Sequence, residues 1–564
     1  MRTSPTRTGG ASGARPPPAL EKPDFFSRLR RDVLQAVAAK SLYRHTLIGR
    51  VPTDLRGRVG ERWPGDAKRG AALLAGDIEL AGETVRNPSP VWFPSGAGTE
   101  WLAAWHGFTW MPDLMSVGAS ARDAARALIR SWLAENVGWH AVAWRSDVLA
   151  SRMFAWMVHL DEIANREVDR PLRRAILASL AGQQRHLART AAWELTGAGR
   201  VSALKGLIGG LVALGRSEQR IERALRALER ELAAQILPDG GHLTRSPSTQ
   251  LWLLRDLIDT RSTLRAARIE VPYALQEAIE KMAPMLRFFR HGDRRLALFN
   301  DAVEEDGVLI DLVLSKSETK DRAPMQAPHS GFQRLQAGQC LVVVDTGNPP
   351  PGRFDEHAHA GALSFEMSQG RERIIVNCGG YRGSREAWRR VMRASAAHSV
   401  LVVDDTNVVE INPDESLGHM PHPVHVDRAE EGGHQWIAAT HDGYRPRFGL
   451  VYSRELYLAH DGVDLRGEEK LTGRSGVAFA VRFHLHPAVR AALVRDGGGA
   501  QLQLADGSVW RLRASGAEMS LGESIYVGSG EIKKTQQVVL SGTTGPAGAL
   551  VRWAIQRDAA AGSV

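Results

Sequence analysis

The chain has 564 residues, 43% of them hydrophobic and 24% charged, which is globular composition with enough length for more than one core. Lysine and arginine number 72 against 63 acidic residues, a formal net charge of +9, so a nucleic acid, an anionic membrane surface and an acidic polymer are all admissible partners. No apolar run reaches the roughly 18 residues of a membrane span, and two cysteines exclude a disulfide scaffold or a cysteine-rich zinc module.

Residues 1–22 are rich in Arg, Gly, Ser and Pro and predict a disordered tail. No apolar stretch follows them, which argues against a secretory signal and for a cytoplasmic or inner-membrane-surface protein. Residues 24–42 carry the charge pattern of a basic amphipathic helix, making peripheral contact with a membrane surface a candidate role for this segment.

From about Trp101 to Arg290 the apolar residues recur with helical period. Ile221, Leu225, Leu228, Leu232 and Ile236 form one face, with Glu222, Arg226 and Glu229 opposite, and Pro238-Asp239-Gly240-Gly241 ends the segment. Similar patterns over 121–135, 146–164, 171–189, 201–214, 249–267 and 272–289 predict about seven helices packed as hairpins, in a toroid or a solenoid. No repeat of fixed period is present, which disfavours the solenoid.

After Asn300 the texture changes to short alternating runs, at 339–345, 362–368, 373–379, 399–405, 451–459, 477–487 and 501–513, separated by Gly, Asn, Asp and Pro clusters. Their spacing predicts an antiparallel β-sandwich, and the Ala505-Asp506-Gly507-Ser508 turn a hairpin. The expected division is a helical domain over 23–305, a polar linker, and a β domain over 325–564. Of the 15 tryptophans 11 precede the linker, where they suggest a platform for sugar rings as well as core.

Three groups of residues have the types that carry chemistry. In Glu356-His357-Ala358-His359-Ala360-Gly361, an extended backbone would point His357 and His359 to one side, as a metal pair or as one ligand beside an acid/base. Asn377 ends the next predicted strand and His398 opens a third, so His359, Asn377 and His398 are expected to converge, either on a metal or as a hydrogen-bonded cluster. His242 and Arg245 lie on the turn before Ser246-Pro247; there they either face a cleft, with Arg245 holding a carboxylate, or serve as capping and surface charge. His484 and His486 read as buried or rim residues, and Cys340 and Cys378 as buried thiols. No nucleophile elbow, phosphate loop, HExxH or dinucleotide fingerprint occurs.

The order of a helical half, a polar linker, a β half, a HAHAGALSFE strand (357–366) and an NCGGY strand (377–381) resembles the heparinase II/III-like superfamily of polysaccharide lyases. Trp63-Pro64-Gly65-Asp66, the Trp101–Trp110 segment and Ala143-Trp144-Arg145-Ser146-Asp147 fit the same resemblance. It implies an incomplete α/α toroid followed by an antiparallel β-sandwich, and β-elimination on uronate-containing polysaccharides. A helical-domain Asn or His would neutralise the sugar carboxylate, and a Tyr with a β-domain His would move the protons. On that pattern the β-domain histidine is His357. A zinc site, where present, falls on His359, Asn377 and His398, with Asn377 standing where an Asp is expected.

The helical positions depart from the pattern: the Asn-His pair falls on Gly199-Arg200, and the tyrosine on Thr249, whose hydroxyl is too weakly acidic to act as a phenol does. The reading is therefore a lyase of an acidic polysaccharide with a variant site of His357, His242 and Arg245. The alternative is a non-catalytic glycan-binding or polysaccharide-assembly protein on the same fold. A hydrolase would require two opposed carboxylates. Nucleic acid is not an expected partner, because the charge excess is modest and no recognised module is present. The family pattern also offers the cell envelope or periplasm as the alternative location.

Overall fold

The computed structural model describes residues 43–558 apart from positions 44, 137, 419, 421 and 495–498. The expected disordered tail and the basic segment at 24–42 lie outside the described residues. No described helix is long and apolar enough to cross a membrane.

The helical half runs through α1 (Ala67–Leu74), α2 (Thr99–His106), α3 (Met111–Ser116), α4 (Ala119–Glu135), α5 (Ser146–Ile163), α6 (Arg170–Thr190), α7 (Gly197–Ala213), α8 (Glu218–Gln235), α9 (Pro247–Ala266), α10 (Tyr273–Phe288) and α11 (Gly307–Lys316), with a small hairpin of β1 (Asp77–Leu80) and β2 (Glu83–Arg86). Helix α8 buries Ile221, Leu225, Leu228 and Leu232, the face read from the sequence. Helix α11 carries the helical layer past the expected limit at residue 305, and the β domain begins at β3 (Gln326–Ala327).

The tryptophans are core. Trp92, Trp101, Trp105, Trp110, Trp132 and Trp156 are almost wholly buried, with ring centroids 5.0 Å apart for Trp105 and Trp110 and 5.3 Å for Trp132 and Trp156. Most of their indole N–H groups find acceptors: Trp92 on Ser131, Trp101 on the Ile78 carbonyl, Trp105 on that of Val91, Trp132 on His106. That is what lets so many amphipathic rings pack in one interior. This packing accounts for most of the tryptophan excess, and Trp252, at 37% exposure, is the one exposed tryptophan among the described residues.

The β domain is two antiparallel sheets. One runs β17 (Glu518–Tyr526), β18 (Lys533–Thr543), β13 (Ala478–Leu485), β7 (Glu372–Val376), β6 (Phe365–Gln369), β5 (Cys340–Asp345), β4 (Phe332–Ala337), β3, with β8 (Leu401–Val403) also on β13. The other runs β14 (Arg490–Leu493), β15 (Gly499–Gln503), β16 (Val509–Ser515), β19 (Ala549–Arg557), β12 (Asp464–Gly473), β11 (Leu450–Leu458), β10 (His434–His441), β9 (His425–Glu431). The expected hairpin at 505–508 joins β15 to β16.

Strand β5 explains how the halves join. All six of its residues are buried. Cys340, Val342 and Val344 belong to the core between the sheets, whereas Leu341 and Val343 belong to the helical core. A strand covered on both faces reads as a continuous apolar run because alternate side chains serve different cores. Polar contacts line the same seam. His291 sits between Glu366 (3.1 Å) and Ser368 (2.7 Å), Arg373 donates to Asp293 at 2.9 Å, and Asp239 accepts from the His329 and Ser330 amides.

Candidate active site

Where the seam opens, a cleft is lined by Asp301, Glu356, His357, His359, Tyr381, Arg389, Arg393 and Glu415. Asp301 comes from the loop after α10, the rest from the β domain. Asn300 stitches that loop in place: its side-chain oxygen accepts from the His359 amide at 3.1 Å, and its NH2 donates to the Arg245 carbonyl at 2.9 Å. The glycine pair before Tyr381 is explained here. Gly380 donates its N–H to the Ala302 carbonyl at 2.8 Å, and a Cβ there would lie 2.6 Å from the Asp301 backbone. Only glycine lets the two loops touch, and that contact sets Tyr381 beside Asp301.

Burial pushes the Asp301 carboxyl above its ordinary range, opposed by the neighbouring His357 and by the guanidinium charges of Arg382, Arg393 and Arg389. His357 is exposed on a turn and His359 is buried, although both line this cleft. A turn, with the Ala358 amide on the Asp355 carbonyl, replaces the expected extended backbone and breaks the alternation. Trp252 donates to Glu305 at 3.1 Å, as does Arg382, the neighbour of Tyr381, and Thr249 lies one turn earlier on α9.

His359 and His398 do meet, Nδ1 to Nε2 at 3.1 Å. His398 Nδ1 faces the Ala394 carbonyl at 2.8 Å, which places its proton on Nδ1 and leaves Nε2 as the acceptor for His359. Burial holds both imidazoles below their ordinary range, His398 down to about 4. Asn377 stands next to this pair, but its amide is committed: the oxygen accepts from the Ser399 amide at 3.0 Å and the nitrogen donates to the Leu298 carbonyl at 3.1 Å. Structural zinc takes four N, S or O ligands. Here the donors stop at two imidazoles, and no group of three His, Cys, Asp or Glu fit to hold a metal occurs among the described residues. The set does not fit zinc.

The other two expected catalytic residues are structural. His242 is buried between Thr244 (2.8 Å) and Gln235 (3.1 Å), and burial lowers its pKa to about 3. Arg245 crosses the seam to the β domain. Its Nε donates to the Ser330 carbonyl at 2.7 Å, Nη1 to that of Asn348 at 2.9 Å and Nη2 to that of Gly331 at 3.1 Å; Nη2 also pairs with Asp345, and the guanidinium stacks 4.7 Å from the Phe332 ring. Every face of the guanidinium is thus occupied by the protein itself. His484 is buried against Ser524 at 2.7 Å, while His486 packs its ring on Tyr526. The sequence reading missed Asp301, Tyr381, Arg389, Arg393 and Glu415; the adjacent glycines 379 and 380 were the available signal that two backbones meet there.

The family described as Heparinase II/III-like, C-terminal, matches residues 319–559. FtsZ-localized protein C of Caulobacter vibrioides (strain NA1000 / CB15N) is 31% identical over 540 residues, covering 90% of this chain and 91% of that protein. Among solved structures, heparinase III superposes with a TM-score of 0.71 at 14% identity, covering 96% of this chain and 92% of its own. Heparan sulfate lyase HepC from Pedobacter heparinus does so with a TM-score of 0.57 at 15% identity, covering 93% and 88%. These two likenesses establish the helical-plus-sandwich fold.

Proposed function

The chain belongs to the heparinase II/III-like family, and on that premise we propose that it is a polysaccharide lyase-like protein whose cleft takes a uronate-containing polysaccharide and opens it by β-elimination, with His357 and Tyr381 as the proton-transfer pair. One observation carries this reading: an exposed imidazole and a phenol line one cleft with a half-buried carboxylate, although the family's helical tyrosine position is Thr249.

The chemistry needs three things. A uronate C5–H is acidic because its carboxylate delocalises the charge left behind, so nearby cations lower the barrier. His357 takes the C5 proton. The electron pair forms the C4–C5 double bond, the C4–O bond breaks, and the departing oxygen takes a proton from Tyr381. Trp252, exposed and bonded through its N–H to Glu305, supplies a face for a sugar ring further along the polysaccharide.

The test is to incubate the full chain with a panel of uronate polymers and follow the ultraviolet absorbance of the unsaturated product. His357→Ala and Tyr381→Phe should each lower kcat/KM by roughly a hundredfold or more, and His357→Ala should leave the melting temperature unchanged because His357 is exposed. Binding without product across the panel refutes the elimination.

That outcome would favour a second reading, supported by the locked state of His242 and Arg245: a glycan-binding or assembly protein on the lyase fold. The name of the Caulobacter relative, which speaks of localisation with FtsZ, fits a scaffold working in the company of FtsZ. In this reading His357→Ala leaves glycan affinity intact.

A further inference from the structure

We infer that Arg389 is the residue that recognises the sugar carboxylate, and that Glu415 of the same chain holds its place when no sugar is bound. The inference rests on the reading of the cleft as a uronate site. It assigns to the β domain a task for which, at the matching helical positions, Gly199 has no side chain and the Arg200 guanidinium is already taken by the Leu195 carbonyl and Glu231.

Two arginines from helix α12 (Glu386–Arg393) line the cleft, and they are used differently. Arg393 is spent on main chain: Nε donates to the Ala358 carbonyl at 2.8 Å, and Nη2 to those of Asp355 at 3.1 Å and Glu415 at 2.6 Å. It builds the floor. Arg389, one turn earlier, is not spent. Its nearest carboxylate is Glu415, at 3.8 Å, beyond hydrogen-bonding distance, and its Nε is buried without any hydrogen-bond partner. A guanidinium edge presents two parallel donors matched to a carboxylate, and here that edge is left half-used inside the cleft.

Glu415 is held where it is by its turn. Its amide donates to the Asn412 carbonyl at 3.0 Å, the Asn412 amide to the Ser416 carbonyl at 2.9 Å, and the Leu417 amide to Asp355 at 3.1 Å. Its φ of 65° is a left-handed conformation uncommon for a glutamate. The Arg389 side chain keeps 36% of its exposure and that of Glu415 25%, so a sugar carboxylate arriving from solvent takes the place of Glu415 on the same guanidinium. Charge favours that exchange. The lining already sets Asp301, Glu356 and Glu415 against Arg389 and Arg393; exchanging one carboxylate for another leaves this balance unchanged, whereas adding a second would worsen it. A neutral sugar offers nothing to displace Glu415, so the cleft selects sugars that carry a carboxylate.

The experiment is calorimetric binding to the full chain of alginate and heparan sulfate oligosaccharides, each paired with its carboxyl-reduced form. The wild type should prefer the carboxylated form. Arg389→Ala should weaken that form by about tenfold or more, the worth of a charge-assisted contact, and leave the reduced form unchanged; Arg389→Lys should recover part of the preference. Glu415→Ala should bind the carboxylated form several-fold tighter. Arg389→Ala that keeps the wild-type preference overturns the inference, as does Glu415→Ala that binds no tighter. The Glu415 variant decides alone if Arg389→Ala fails to fold. A wild type that binds neither form of any pair removes the uronate reading of the cleft itself, and the inference with it.

Discussion

Replacing Arg245 with alanine separates an anchor from a ligand-binding residue. In the structure its guanidinium makes three hydrogen bonds to β-domain carbonyls and an ion pair with Asp345, both partners being about 93% buried. Truncation would strand a carboxylate inside the seam. Breaking a buried pair by removing one partner costs about 3–5 kcal/mol. Three carbonyls would also lose a donor, at about 1 kcal/mol or more each where water cannot reach them. Burial already pushes the Asp345 carboxyl up, so protonation of Asp345 caps the first cost, and the expected loss is about 4–6 kcal/mol, close to the whole stability of many domains. The assay is urea unfolding followed by tryptophan fluorescence, since most tryptophans lie in the helical half. The double variant Arg245→Met with Asp345→Leu should recover a substantial part of the loss by removing the stranded charge. A loss below about 1 kcal/mol together with abolished glycan binding would refute the anchor role and restore Arg245 to the binding site.

Acid should unfold the protein early. Burial lowers His106, His242 and His484 to about 3 and His186, His398 and His441 to about 4. A depressed pKa means that the unfolded chain binds the extra protons, so this stability is present above pH 6.5 and is lost as pH falls towards 4, at about 3 kcal/mol per histidine. Six such groups exceed any ordinary folding free energy, so the melting temperature should fall steeply below pH 6 and the chain should unfold before pH 4; a flat profile across that range contradicts the burial. Elemental analysis of the purified protein should find well below one zinc per chain, because the Asn377 amide is held by main chain; stoichiometric zinc lost on His398→Ala would overturn the donor argument. Gly380→Ala should cost about 1–3 kcal/mol by driving a methyl into the Asp301 backbone and should also lower glycan affinity; a neutral substitution would mean that the two loops are not held in contact.

The sequence by itself determined the architecture and singled out one candidate site residue. Period 3.6 up to Arg290 and the alternating runs from residue 339 onward force helices and strands, and the HAHAG and NCGGY segments point to the family and to His357. It also located the His359, Asn377 and His398 neighbourhood, because strand order is regular over short distances. It could not say what those residues do once there. Whether Asn377 offers its amide to a metal or to main chain depends on Ser399 and Leu298, whose approach is tertiary. Arg245 has the chemistry of a site, and only the docking of the β domain against its turn makes it an anchor; His242 is held by Thr244 and Gln235 of the helical half itself. Conversely, Asp301, Tyr381, Arg389 and Glu415 come from four separate loops and helices spanning more than a hundred residues. Periodicity reports which face of an element is buried; a cleft is made where elements fail to meet, and that is decided by side-chain packing between domains, a property of no single segment.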